Sequence, residues 1–309
     1  MNTIQTIIPI FVVIFLGTLA RKKGWIPNSF LKPANQLTFY LAIPAMIFRA
    51  IVKSDFRTQF DSYLLISTLL PLFVIFILFW LFTIITGVPK SQRGTLVESS
   101  VHGNIGYIGL AVVFYFLGAE ALPSTGILLA FLMLAHNGLA VVVLQINATS
   151  TSKKKGWIQI LSNIVVNPII LTATAGIGCS LIQFQMPVII DRTLGILANL
   201  ALPLALLLIG ASLSFHVKIK QLVMVVLASL AKLIVLPALG LWLYIYFNLE
   251  PSAFLPGLIL LSAPVATVSY IIAVEMNGDP DLAVTTISIS TALSSVTMVF
   301  WLYYVETIL

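Results

Sequence analysis

The chain has 309 residues, of which 60% are hydrophobic and only 8% charged, with a formal net charge of +6. A soluble domain is about a quarter charged, so this composition leaves too few charges to cover a water-facing surface. The mean hydropathy of +1.09 is carried in runs near twenty residues, the length that crosses a bilayer as a helix, whereas the short alternating segments of an outer-membrane barrel are absent.

Ten spans follow in chain order: Ile4–Ala20, Ala34–Phe48, Tyr63–Gly87, Thr95–Gly118, Ser124–Ile146, Ile158–Ile182, Thr193–Leu213, Gln221–Phe247, Ala253–Val274 and Leu282–Tyr304. The first lacks a charged leader and a small-residue cleavage site, so it reads as a retained span. The second is short, but Arg49 and Lys53 flank it and can extend their heads towards the lipid headgroups. The single Cys179 lies in an apolar run and permits no intrachain disulfide. Asn147-Ala148-Thr149 matches a glycosylation sequon that the topology below places inside, so it is read as chance.

Basic residues orient the spans. The odd-numbered loops hold Arg21, Lys22, Lys23, Lys32, Lys90, Arg93, Lys153, Lys154, Lys155, Lys218 and Lys220, whereas the even-numbered loops hold Arg49, Lys53, Arg57 and Arg192. The positive-inside rule therefore puts the odd loops in the cytoplasm and both termini outside. Topology accounts for the basic excess, and no nucleic-acid partner is needed. A multi-pass protein of the inner cell membrane is expected, in contact with lipid. A homodimer is left open.

The chain repeats itself. Leu41-Ala42-Ile43-Pro44 returns as Leu200-Ala201-Leu202-Pro203, and the same offset maps Pro9-Ile10 onto Pro168-Ile169 and Gly17 onto Gly176. Prolines and glycines disturb a helix and persist where the backbone uses the disturbance. Five spans is an odd number, so a second set of five enters the membrane in the opposite sense. The expected fold is all-α and polytopic, with ten transmembrane helices in two inverted five-helix repeats, residues 1–150 and 151–309, in the manner of many secondary transporters.

Two spans are interrupted. The fourth carries His102-Gly103-Asn104-Ile105-Gly106-Tyr107-Ile108-Gly109, and each interior glycine costs about 1 kcal/mol against alanine. The glycines could serve close helix packing alone, or the helix could unwind near Asn104 and re-form after Gly106. The ninth carries Ser262-Ala263-Pro264-Val265-Ala266-Thr267-Val268-Ser269-Tyr270, where Pro264 lacks an N–H and frees carbonyls. Interrupted helices in corresponding positions point to a binding site. Half-helix N-termini suit an anion. Asn104 offers a neutral donor, and Tyr107, Thr267, Ser269 and Tyr270 offer hydroxyls. A small organic anion, a carboxylate, is the expected cargo, held by Gly103, Asn104, Gly106, Tyr107, Pro264, Val265, Thr267 and Ser269.

These residues resemble the auxin efflux carrier family, which includes the plant PIN auxin transporters and bacterial transporters of malate- or malonate-like acids. Gly103 to Leu110 is similar to that family's glycine-rich fourth helix, and Ala263-Pro264 to Glu275-Met276-Asn277-Gly278-Asp279 to its ninth. Leu41-Ala42-Ile43-Pro44 extends the likeness to the second helix, which also holds Asn35. The resemblance implies that the fourth and ninth helices cross at the substrate site, with Asn104 and Pro264 at matching positions. Ile105 follows Asn104 where PIN proteins typically have proline, so the fourth-helix break would rest on glycine.

Ionisable residues within the spans are candidates for coupling or charge support. Lys232, near the centre of the eighth span, bears a cost of at least about 2.5–3.5 kcal/mol. The third span offers no Asp or Glu to pair with it. It either bonds to carbonyls as a structural pin or replaces a coupling cation. Glu98 and Glu275 lie near the cytoplasmic ends of the interrupted spans, where either could take a proton but where plain solvation is the favoured reading. His102 borders the break and could sense pH, His136-Asn137 interrupts the fifth span, and His216 sits at a loop. No Walker sequence, metal-ligand spacing or paired carboxylates occur, so neither metal, cofactor nor enzymatic activity is expected. The expectation is secondary transport of a small organic anion (malate, malonate or an auxin-like acid) by alternating access. The alternative is a Na⁺- or H⁺-coupled symporter or antiporter of the crossed-helix architecture that bile-acid symporters share.

Overall fold

A computed structural model of the chain describes residues 3–147, 167–214 and 221–308. Among these the architecture is all-helical, without a β-strand. The helices are α1 (Thr3–Lys22), α2 (Asn28–Val52), α3 (Ser62–Ile85), α4 (Lys90–Ser99), α5 (Ile105–Leu117), α6 (Leu122–Asn147), α7 (Pro168–Leu181), α8 (Val188–Ser212), α9 (Leu222–Tyr246), α10 (Pro251–Ser262), α11 (Val268–Glu275) and α12 (Pro280–Ile308). Seven of the described helices are long and apolar enough to cross a membrane, and Ile105–Leu117, Pro168–Leu181 and Pro251–Ser262 are shorter apolar helices. The chain is therefore a multi-pass membrane protein. The Lys153–Lys155 loop, most of the sequon, His216, Lys218 and Lys220 lie outside the described residues.

Prolines shape these helices in two ways. In α2 and α9 one proline is preceded by a wide π-turn, Thr38–Ala42 before Pro44 and Ala231–Val235 before Pro237. A proline ring clashes with the carbonyl four residues back and supplies no N–H, and a wide turn relieves both problems. In α10 the chain instead leaves the helix altogether at Ala263, ahead of Pro264, with ψ at 140°.

The residues group into two compact units, each drawing on both halves of the sequence. Unit 1 comprises residues 1–62, 106–131 and 165–212, and unit 2 comprises residues 63–105, 132–164 and 213–309. This grouping by packing is distinct from the expected repeat boundary at residue 150.

Within unit 1, α1 lies along α8, and α7 lies along the second half of α2. Glycines allow both approaches. A methyl group at Gly17 would fall onto the carbonyl oxygen of Leu207, and one at Gly210 onto that of Ile14. Gly176 faces the Ile51 side chain, at 3.1 Å from where its Cβ would sit. The close seam lets Thr18 Oγ1 donate to Gly210 O at 2.7 Å. Backbone proximity of this kind, made by small residues, is how helices associate in lipid. At the far end of α2, Arg49 Nε and Lys53 Nζ reach Asp191 at 2.6 and 2.7 Å. The two heads expected to extend towards lipid thus share a carboxylate on α8.

Unit 2 packs α12 against α4, α9, α10 and α11. Thr68 of α3 and Tyr244 of α9 meet at 2.8 Å in its interior. Thr68 already donates to Leu64 O, so Tyr244 is the donor to Thr68.

The seam of unit 1 sets an expectation. Gly210→Ala should lower the thermal stability of the purified protein by about 1–3 kcal/mol, the cost of forcing a methyl into a packed contact. Gly178→Ala, whose added methyl meets nothing within 4 Å, should leave it unchanged; equal melting curves for the two variants would contradict the packing.

Candidate functional site

Both interrupted spans are broken, and their gaps meet within unit 2. Helix α4 ends at Ser99, and residues 101–104 leave the helical path before a π-turn begins at Ile105. Helix α10 ends at Ser262 and α11 begins at Val268. Between them the two stretches run antiparallel, with Gly103 opposite Val265. Asn104 N donates to Pro264 O at 2.6 Å, and Ala266 N donates to His102 O at 3.0 Å. The helix after Asn104 re-forms one residue before Gly106, so the unwinding sits earlier than the sequence suggests. It needs no proline, because pairing with the opposite backbone satisfies the groups a helix would have satisfied.

Side chains complete the repair. In a continuous helix Val265 N would donate to Leu261 O. Here Val265 N donates to Ser290 Oγ of α12 at 3.1 Å, and Leu261 O accepts from Lys232 Nζ of α9 at 2.6 Å. Lys232 is buried at 1% exposure. Its amine therefore serves as the carbonyl-bonded pin that one sequence reading anticipated. It also explains Gly103, where a Cβ would come within 3.0 Å of Lys232 Cε and 3.1 Å of Nζ.

Asn104 lies beside this repair, 5% exposed, and its Nδ2 has no hydrogen-bond partner among the described residues. A buried amide donor left unpaired is costly, about 1–3 kcal/mol, and such a group calls for an explanation. Pro264, Val265 and Ser269 are buried beside the gap, while Thr267 is half-buried at the cap of α11 and leaves that helix uncapped by its side chain.

The remaining candidates divide. Gly106 and Tyr107 fall in unit 1, where Tyr107 Oη donates to Asn35 Oδ1 at 3.2 Å. Glu275, at the end of α11, is exposed, as a solvated interfacial carboxylate would be. Glu98 is not solvated. It is 2% exposed, accepts Ser269 Oγ on Oε1 at 2.7 Å and Ser99 Oγ on Oε2 at 3.3 Å, and lies 2.7 Å from His102 Nδ1. The misreading has a simple cause. Hydropathy starts the fourth span at Thr95, whereas the helix itself starts at Lys90, more than two turns before Glu98. His136, which the sequence shows only as a polar interruption, lies at a tilt against His102, with ring centroids 4.9 Å apart and planes 36° from parallel.

Unit 1 also holds a cavity of about 710 Å³, lined by Arg49, Lys53, Tyr115, Glu120 and Asn199 among others. None of the residues expected to hold the anion lines it. Its two cations are already paired with Asp191, so it offers little free positive charge.

Known proteins agree with a transport role. A relative from Rhizobium meliloti, provisionally named a malonate transporter, is 26% identical over 314 residues, spanning 97% of this chain and 95% of its own. Uncharacterised transporters from Methanothermobacter thermautotrophicus and Methanocaldococcus jannaschii are each 22% identical, over 97% of this chain and 98% of theirs. These are names of transporters, not of enzymes. The family described as membrane transport protein matches residues 2–302, and the chain belongs to it, as the likeness of its fourth and ninth helices to auxin efflux carriers implies.

Proposed function

We propose that this protein is a secondary transporter that carries a small organic anion, a carboxylate of the malonate or malate class, across the inner membrane by alternating access. The observation that carries the reading is Asn104 Nδ2, a buried amide donor without a partner at the place where two broken helices pair. A carboxylate oxygen would satisfy it. Lys232 Nζ, beside Gly103, adds positive potential at the same place, and the first turn of α11 adds helix-end N–H groups that favour negative charge. The name of the Rhizobium meliloti relative points to the same class of cargo.

The ten-span inverted repeat belongs to this reading. Its support is the reciprocal packing in unit 1. The first span of each half lies along the second span of the other, and Gly17 and Gly176, equivalent in sequence, both lie at those seams. A two-fold relation between halves produces such exchange. In this arrangement the gaps of the fourth and ninth spans lie near the middle of the bilayer. The odd loops face the cytoplasm and both termini face outward.

A sodium-coupled mechanism is the weaker reading. Carbonyls freed by a helix break are natural cation ligands, but Leu261 O is taken by Lys232, Pro264 O by Asn104, and His102 O by Ala266.

Three outcomes are expected. Asn104→Ala should weaken malonate binding, read by thermal shift, about ten- to a hundredfold, the worth of a hydrogen bond to a charged group; undiminished binding would displace the site. Replacing Na⁺ by choline should leave malonate counterflow in proteoliposomes unchanged, and a strict Na⁺ requirement would favour the symporter. In a Cys179→Ser background, an impermeant maleimide added to intact cells should label Asn248→Cys but not Ser91→Cys; the converse pattern would invert the proposed orientation.

A further inference from the structure

Among the described residues, the only buried Asp, Glu, Lys or Arg side chains are Glu98 and Lys232. They carry opposite formal charges, so together they leave the interior without a net charge. An anion entering beside Asn104 would meet the potential of Lys232 but would still bring in a net negative charge, a costly situation in a low-dielectric interior. Two further titratable groups are buried in the same unit, His102 at 5% exposure and His136 at 2%.

Their geometry suits proton storage. His102 Nδ1 and Glu98 Oε1 are 2.7 Å apart, although their alignment is poor for a hydrogen bond. Two bare lone pairs repel at that distance, so the approach is favourable only when one of the two groups carries a proton there. His136 lies at a tilt against His102, and neither of its ring nitrogens has a hydrogen-bond partner among the described residues. A neutral imidazole has one N–H and one free lone pair, and that lone pair can take a second proton. The cluster also reaches across the break. Glu98 lies on α4 and accepts from Ser269 on α11, while the His102 carbonyl holds Ala266.

The surrounding helices supply few competing charges. Among the described residues, Lys232 on α9 is the one cation that acts on His136, and it opposes a second positive charge there. On α4, Arg93 Nη2 donates to Val88 O. Glu275 at the end of α11 is exposed. Asp279 is engaged by Gln221 and the Leu282 N–H, and its own N–H donates to Thr95. Helix α12 has its charged residues only at Asp281 and Glu306, near its ends, and α10 has none.

We propose that Glu98, His102 and His136 form a proton-binding site whose loading offsets one negative charge of the transported anion, so that the protein couples anion movement to protons. This rests on the anion-transport reading above and names its coupling ion. The cluster gains one proton as the anion binds and gives it up as the anion leaves. Linkage makes the effect reciprocal, with anion and proton each raising the affinity for the other.

The test uses the whole protein in proteoliposomes, with membrane potential clamped and radiolabelled malonate as probe. With the wild type, an acid-outside pH gradient should drive malonate accumulation, and a Na⁺ gradient of equal size should not. Glu98→Gln should lower pH-driven accumulation by at least about tenfold while reducing malonate exchange at equal pH by less than about threefold. His136→Gln should flatten the pH dependence of malonate binding measured by thermal shift. Exchange without any response to the pH gradient, or full pH-driven accumulation by both variants, overturns the proton site and leaves the anion reading intact. Absence of malonate exchange in the wild type overturns the anion reading itself.

Discussion

A single missing hydrogen bond organises unit 2. Pro264 stops α10, and the N–H of Val265 and the carbonyl of Leu261 separate. In lipid, neither can turn to water, so each must find a partner within the protein. Ser290 and Lys232 are those partners. Lys232 in turn crowds position 103, where an added Cβ would come within 3.0 Å of its Cε, and the glycine there sits opposite Val265 where the fourth span runs antiparallel to the gap of the ninth. Serine, lysine, glycine and proline at four distant points in the sequence thus answer one backbone requirement. Asn104 is the polar group the arrangement leaves over, and that surplus is what makes the place look like a binding site rather than a structural joint.

Much of this was legible in the sequence. Hydropathy located the seven long apolar helices among the described residues, because an unbroken apolar run has little other use. Gly103 and Pro264 marked both gaps, since each is costly inside a helix unless the backbone departs from it. Lys232, for which the sequence left a carbonyl-bonded pin and a cation substitute both open, donates to the Leu261 carbonyl. Other features could not be read. Ser290 is one of several buried hydroxyl residues on α12, with Thr286, Ser288, Thr291 and Ser294, and composition cannot single out the one that meets a particular N–H. Glu98 was misjudged because hydropathy measures where apolar residues begin, not where the helix does. His136 gained meaning only when the fold set its ring on His102.

Buried charge is used sparingly. The part-exposed Arg49 and Lys53 pair with Asp191, and among the described residues only Glu98 and Lys232, of opposite formal charge, are buried Asp, Glu, Lys or Arg side chains. What remains in the interior are two imidazoles, His102 and His136. Under the proposed anion transport the interior charge would have to alter with load, and these are the groups through which the proposed proton site would do it.

The wide turn in α9 has a further effect. Pro237 removes the N–H that Leu233 O would have accepted in an ordinary helix, and the indole of Trp301 donates to that oxygen instead, at 2.8 Å. Trp301 is 6% exposed, whereas Trp25 and Trp242 are 76% and 58% exposed. The indole is thus fastened one residue beyond Lys232, in surroundings unlike those of these two fellow fluorophores. Any displacement of the lysine during a transport cycle would tug on this bond and alter the colour of the light that Trp301 emits, giving the molecule an optical gauge of its own working stroke.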